Sequence, residues 1–370
     1  MFSRLFLTYG LTVGCWLIYA RIQWKYALFS KVARSPGPSA FRGEPLHFGL
    51  RRAEFRNLKK RRPDTSSGQW PISSTSEALP NDPLGPSLED PRGANHVPHK
   101  LVIANQKGGV AKTTTTLCLA RYFSERGLRV LIVDTDPQGS VTLALRGTNR
   151  VEHDLHDFIV RQLSFDLCKI TVAERIDVLP SNKETTKVDA ILGLNPSQLF
   201  SFRGTFAPVE KDYDLMLFDC APSISVVQTA ALIYAQRLLI PVAMDILAIH
   251  GALACLETAQ NMNEFYNNTD VRAVALLPVM VDRRLQATKM TLEMLEKIAS
   301  KYELEVLPGI RTDQAVQRSN RGKAFLADHD PRSKALEDYA AAAGRLAEIM
   351  NVKTPISAVA PVQTADEATA

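Results

Sequence analysis

Two lysines, two glycines and two threonines stand close together in Asn105–Thr114, which reads Asn-Gln-Lys-Gly-Gly-Val-Ala-Lys-Thr-Thr. The apolar run Leu101–Ala104 precedes them, and residues with helical spacing (Leu117, Leu119, Ala120, Phe123) follow. A strand, a glycine turn and a helix aim successive backbone N–H groups and a helix N-terminus at one point, which suits an anion, in practice a phosphate. Gly108 and Gly109 let the chain turn there with no Cβ in the way. Lys112 supplies a compact charge for terminal phosphates, and the Thr113 hydroxyl is a Mg²⁺ ligand type. Val110, Ala111 and Thr114 complete the candidate phosphate loop.

The ordinary phosphate-loop pattern, G-x-x-x-x-G-K-[ST], does not fit, because Gln106 and Ala111 hold its two glycine positions. What fits is K-G-G-x-x-K-[ST], with a second lysine, Lys107, five residues upstream of Lys112. Three acids sit where strands should end. Asp134 and Asp136 follow Val130–Val133, and their i, i+2 spacing in extended chain puts both carboxylates on one face. Asp219 follows Leu215–Phe218, four apolar residues, and suits Mg²⁺ through a water. Phosphoryl transfer to water needs held phosphates, charge neutralisation and a positioned nucleophile, and little else from the protein. A lone aspartate at a loop start is more often a helix cap, and Asp136 and Ser140 are both candidate caps. Three acids at two strand ends, beside a third strand end that carries Lys112 and Thr113, favour the site.

These residues resemble the deviant Walker A loop of the ParA/MinD group of ATPases, and most closely ParA/Soj-type partition ATPases. The match continues through Asp134-Thr135-Asp136-Pro137-Gln138-Gly139 and Leu215–Ser223, and covers roughly Lys100 to Met350. The resemblance implies a weak Mg²⁺-dependent ATPase, with ATP and Mg²⁺ as cofactors. It gives Asp134 a place in supporting the metal shell and Asp136 that of orienting the attacking water. Lys107 would cross to the nucleotide of a partner subunit, so that ATP joins a homodimer and hydrolysis separates it. Asp282 and Pro308 would border the adenine. Arg283, Arg284, Arg311, Arg318, Arg321 and Lys323 would form a surface for DNA without sequence preference, such binding being mainly phosphate contact. Separate solvated arginines are the plain alternative. A ParB-like centromere-binding protein would stimulate hydrolysis, and the setting would be cytoplasmic and nucleoid-associated. A membrane-positioning ATPase like MinD is the second reading. The Ala/Thr/Pro tail lacks that group's basic amphipathic helix, but an N-terminal apolar segment can take its place. An exopolysaccharide tyrosine kinase would need a C-terminal tyrosine cluster, where Tyr339 stands alone, and iron–sulfur relatives need paired cysteines that are missing.

The elements that must position these groups lie in the last three quarters of the chain. Apolar strands alternating with helices over 100–350 call for an α/β domain, a mostly parallel twisted sheet with helices on both faces and the ligand at the strand C-terminal ends. Strands are expected at Leu101–Ala104, Val130–Val133, Ile176–Leu179, Leu215–Phe218, Leu238–Val242 and Val271–Leu277. Helices are expected at Thr113–Arg126, 154–163, 184–192, Val226–Gln236, 247–265, Gln286–Lys301 and Lys334–Met350. Residues 1–30 hold an apolar stretch (5–20) between Arg4 and Arg21, readable as an inner-membrane tether, a signal or an over-extended start. Residues 31–99 read as a basic, proline-rich linker, with a basic run at Arg51–Arg62, and 351–370 as a disordered tail.

Charge is divided along the same line. Residues 1–99 carry 14 Lys+Arg against 7 Asp+Glu, so of the total 44 against 39 the rest holds 30 against 32. A nucleic-acid role for the body therefore cannot rest on overall charge. Five scattered cysteines (15, 118, 168, 220 and 255) show no ligand spacing and point to buried thiols in a reducing compartment.

Overall fold

A computed structural model describes residues 96–266 and 269–355. The apolar segment 5–20, the basic run Arg51–Arg62, most of the proline-rich linker and residues 356–370 of the tail lie outside the described residues. Among those described, no helix is long and apolar enough to cross a membrane.

Eight strands form one sheet in the order β3-β4-β2-β5-β1-β6-β7-β8. They are β1 (His99–Ile103), β2 (Val130–Asp134), β3 (Ile170–Ala173), β4 (Ile176–Leu179), β5 (Leu215–Asp219), β6 (Arg237–Ala243), β7 (Arg272–Val279) and β8 (Glu305–Val306). Every pairing is parallel except β3 with β4, so the sheet is mostly parallel, as the sequence pattern requires. The central strands are buried on both sides, with Val130–Asp134 and Leu215–Asp219 buried throughout, which explains why they read as unbroken apolar runs.

Helices cover both faces. On one lie α1 (Lys112–Ser124), α2 (Ser140–Arg146), α10 (Gln314–Gly322), α11 (Leu326–His329) and α12 (Lys334–Met350), packed on one another. On the other lie α5 (Thr185–Leu192), α6 (Ser201–Glu210), α7 (Val226–Ala235), α8 (Ile246–Phe265) and α9 (Gln286–Tyr302). Two short helices, α3 (Leu155–Ile159) and α4 (Phe165–Cys168), join α2 to β3. Phe202 and Phe206 of α6 pack with Phe218 and Tyr234, with ring centroids 5.3–6.4 Å apart. Burying each such ring contributes on the order of 2–3 kcal/mol.

Several expected elements differ at their ends or were not anticipated. The helix expected over 154–163 stops at Ile159, and Gln162 takes a left-handed conformation (φ 56°). The edge strands β3 and β8 are too short to show a period. Helices α2, α4, α6, α10 and α11 are not among those expected; α10 (QAVQRSNRG) sets Ala315 and Val316 apart from its arginines, but two apolar residues are too few to announce a helix. Asp313 starts α10, its side chain accepting from the Ala315 N–H at 2.8 Å.

Candidate phosphate and metal site

The chain leaves β1 between β5 and β6, and the first crossover goes toward β2 while the one after β5 goes toward β6. The strand order reverses here, and such a switch point opens a crevice at the carboxyl ends of the strands. The phosphate loop occupies it. Gly109 takes φ 76°, which its lack of Cβ permits, and Val110 is buried beneath the loop. Ala111 takes φ 57° and precedes α1, so the backbone keeps a glycine-type turn where an alanine stands. Lys112, Thr113 and half-buried Thr114 form the first turn of α1.

The two lysines of the loop have different positions. Lys112 is 8 % exposed, and its ammonium donates to the Lys107 carbonyl at 3.2 Å. Burial lowers its pKa, opposed first by the Asp219 carboxylate. The Lys107 ammonium instead donates to the Gly108 carbonyl at 3.3 Å in an exposed position. The mutual repulsion expected of two ammonium groups in one nest is thus avoided.

The acids converge as their strand ends do. Ile103 and Asp134 both stand in register with Asp219. Asp219 Oδ2 accepts from the Thr113 hydroxyl at 2.7 Å, and Oδ1 from the Thr116 hydroxyl at 3.0 Å. Asp134 accepts from the Asp136 N–H through Oδ1 and the Val141 N–H through Oδ2, both at 3.0 Å. Burial, and then the facing Asp219 carboxylate, pushes the Asp134 carboxyl well above the usual range. Burial pushes Asp219 up to about 6, against the Thr113 and Thr116 hydroxyls and the Lys112 ammonium. A hydroxyl with two buried carboxylates, all oxygen donors and short of positive charge, is the donor set of a hard cation such as Mg²⁺. Thr113 and Asp219 would hold it, with Asp134 behind.

Asp136 does not cap α2, nor does Ser140. Gly139 (φ 63°) is the residue before that helix, with no side-chain cap. Asp136 Oδ1 accepts the Gln138 N–H at 2.9 Å in a local turn, and the Ser140 hydroxyl lies 3.5 Å from Oδ2. A Cβ at Gly139 would stand 2.6 Å from the Ser181 carbonyl oxygen, so glycine is required for both conformation and space.

Two supporting residues, Asn105 and Thr135, carry no sequence signature of their role. Asn105, fully buried, donates to the carbonyls of Pro241 (2.8 Å) and Ala248 (3.2 Å) and accepts from the Lys107 N–H (2.9 Å). It clamps the loop to β6 and α8. Thr135 donates to the Asp219 carbonyl at 2.9 Å. Thr116 was discoverable, since it stands one helical turn from Thr113. Cys220 lies beside Asp219 with its thiol pushed up to about 12 by burial, as suits an inert core residue.

Asp282 and Pro308 lie on neighbouring segments, because the Val281 N–H bonds Ile310 and the Thr312 N–H bonds Val281. Asp282 is taken by Arg284, whose Nη2 lies 2.7 Å from Oδ2. Arg311 holds Asp338 through two 2.7 Å contacts. Arg283, Arg318 and Arg321 are exposed and make no ion pair among the described residues. A cavity of about 410 Å³ is lined by Arg318, Arg332 and Lys334 together with Asp313 and Asp330. Asp313 is already bonded by the Ala315 N–H and the Ser333 hydroxyl, both at 2.8 Å. Lys323 lies apart, against Gly147.

Loop, acids and sheet together define a P-loop nucleotide-binding α/β protein of the two-lysine type. Residues 99–272 match the family described as an AAA domain. The chain is 30 % identical over 244 residues to the sporulation initiation inhibitor protein Soj of Bacillus subtilis, covering 65 % of this chain and 94 % of that one. It belongs to the ParA/Soj family of partition ATPases. Its fold is similar to that of a McdA–ATP complex from Cyanothece (TM-score 0.62, 17 % identity, 71 % of this chain and 99 % of that one). It is also similar to a cobyrinic acid a,c-diamide synthase from Mycobacterium smegmatis with bound ADP and magnesium (TM-score 0.58, 26 % identity, 71 % and 100 %).

Proposed function

We propose that the chain is a Mg²⁺-dependent ATPase that dimerises on ATP, holds DNA without sequence preference, and is reset when a ParB-like partner stimulates hydrolysis. It works in the cytoplasm on nucleoid or plasmid DNA. The observation that carries the dimer is the division of labour between the lysines. Lys112 is buried beneath the loop, whereas the Lys107 ammonium is exposed and engages only a neighbouring carbonyl among the bonds described. A cation so placed is free to meet a second subunit's nucleotide.

The loop N–H groups and α1 N-terminus bind the phosphates. Lys112 exchanges its bond with the Lys107 carbonyl for a phosphate oxygen. When bound, Mg²⁺ neutralises charge as it develops on the transferring group. Thr113 and Asp219 would hold it, and Asp136 would position the attacking water. Arg283, Arg318 and Arg321 are the cations left for DNA phosphates, joined by Arg332 and Lys334 at the cavity beside α10. Pairing two copies doubles the charge on one face of a near-neutral body.

The test is the size of Lys107→Ala with ATP and Mg²⁺. The variant is expected to bind ATP yet remain monomeric while the unmutated protein dimerises. A variant that dimerises normally would remove the crossing lysine from the account.

A further inference from the structure

Lys323 is in line with the other basic residues of this region by sequence, but its exposed side chain lies along the surface of the fold against α2. It closes α10 in a left-handed conformation (φ 57°) and lies across Gly147, the residue that ends α2. A Cβ at position 147 would stand 2.1 Å from Lys323 Cε, 2.4 Å from Cδ and 2.6 Å from Nζ. The ammonium therefore rests at the carboxyl end of α2, where unpaired carbonyls carry partial negative charge. At its other end, α2 hangs from Asp134, whose two oxygens hold Val141 N–H and Asp136 N–H.

A second grip lies five residues on. Arg121, in the last turn of α1, donates to Asp328 at 2.8 Å, and its guanidinium lies 5.8 Å from the centre of the Phe325 ring. Helix α1 begins at Lys112. Residues 323–328, which follow the basic helix α10 directly, are thus held by the far ends of two helices. The near ends of those helices are the phosphate loop and the Asp136–Gly139 segment. On the α2 side a cavity of about 480 Å³, lined by Leu145, Arg146, Ile170, Val172, Lys323 and Phe325 among others, leaves room for displacement. Packed contacts of this kind switch between discrete arrangements and do not deform smoothly, so a shift of α2 relative to α1 moves the segment as a unit.

We infer that Lys323 and Arg121 are positioning residues that carry the nucleotide state from α2 and α1 to the basic helix α10, and that Lys323 is not a DNA contact. This rests on the reading of α10 as a DNA-facing helix. A phosphate contact and a coupling residue differ in what their loss changes. Removing a contact lowers the salt dependence of DNA binding by about one unit in the log–log slope. Removing a coupling residue leaves the slope and collapses the difference between ATP and ADP.

The experiment uses the full chain and two variants, Lys323→Ala, which deletes the group, and Gly147→Ala, which displaces it. DNA retention is measured with ATP and with ADP across a salt series, alongside hydrogen exchange of residues 314–322 in both nucleotide states. Both variants should bind nucleotide as the parent does and keep its salt slope. The ATP-to-ADP ratio of retention should fall about fivefold or more, and the parent's exchange difference over α10 should vanish. A slope lower by about one with the ratio intact makes Lys323 a contact and overturns the inference. So does an exchange difference that is absent in the parent or persists in both variants. If the parent retains no DNA in either state, the DNA-binding reading fails, and the exchange measurement alone decides the coupling.

Discussion

Asp134 and Asp219 face each other in register, buried with the Lys112 ammonium only partly offsetting their charge, and that sets the pH behaviour of the nucleotide-free protein. Asp219 is pushed up to about 6 from an ordinary 3.8, so between those values the folded chain holds a proton that the unfolded chain has lost. The stability this contributes is full below the unfolded value and disappears as the pH rises through about 6. Asp219→Asn mimics the protonated state at every pH. Its stability relative to the parent, measured by denaturant unfolding without nucleotide or metal, should rise by roughly 1–2 kcal/mol between pH 5 and pH 8. A difference independent of pH would show that Asp219 is ionised throughout. At this scale the lysines, Thr113 and the three acids were legible, because phosphate and metal chemistry restricts residue type and spacing together. Asn105 and Thr135 were not, because a buried amide or hydroxyl takes its role from carbonyls and carboxylates far away in sequence. Ala111 was legible only as a departure; that its backbone keeps the left-handed turn required the fold.

Elements decide how firmly the loop is held. Helix α8 approaches the phosphate loop so closely at Gly251 that an added Cβ would stand 2.1 Å from Asn105 Oδ1 and 3.0 Å from the Lys107 nitrogen. Asn105 cannot swing away, since its amide bridges β6 and α8. Gly251→Ala should therefore cost about 1–3 kcal/mol in thermal unfolding, and weaken ATP binding further by moving the Lys107 N–H. Unchanged stability and affinity would mean that the clamp is loose. A glycine in mid-helix costs roughly 1 kcal/mol against alanine, so it needs a reason of this kind. The long helices were legible because one-sided burial writes a period into them, and the central strands because burial on both faces makes them unbroken apolar runs. Helix α10 and the edge strands were not, because caps, ion pairs and neighbouring elements hold them in place.

At the scale of the whole molecule, charge has to be sorted by what it already does. The body as a whole is close to neutral, yet Arg284 and Arg311 are engaged by carboxylates whereas Arg318 and Arg321 are exposed. Arg318→Ala and Arg321→Ala should each reduce the salt slope of DNA retention by about one. Arg311→Ala should leave the slope unchanged and lower thermal stability instead, because it strips a partner from Asp338. Equal slopes in all three would move the DNA surface elsewhere.

The flanks of the sheet bear on how copies of this chain can associate. One margin is a two-residue strand, and the other is a four-residue strand with a break in register between Thr171 and Ala173. Margins that short and irregular are poor templates for another chain's backbone, so lateral growth of the sheet has nowhere to start. Copies of this chain at high concentration then find, among the described residues, no long sheet edge from which to seed fibres.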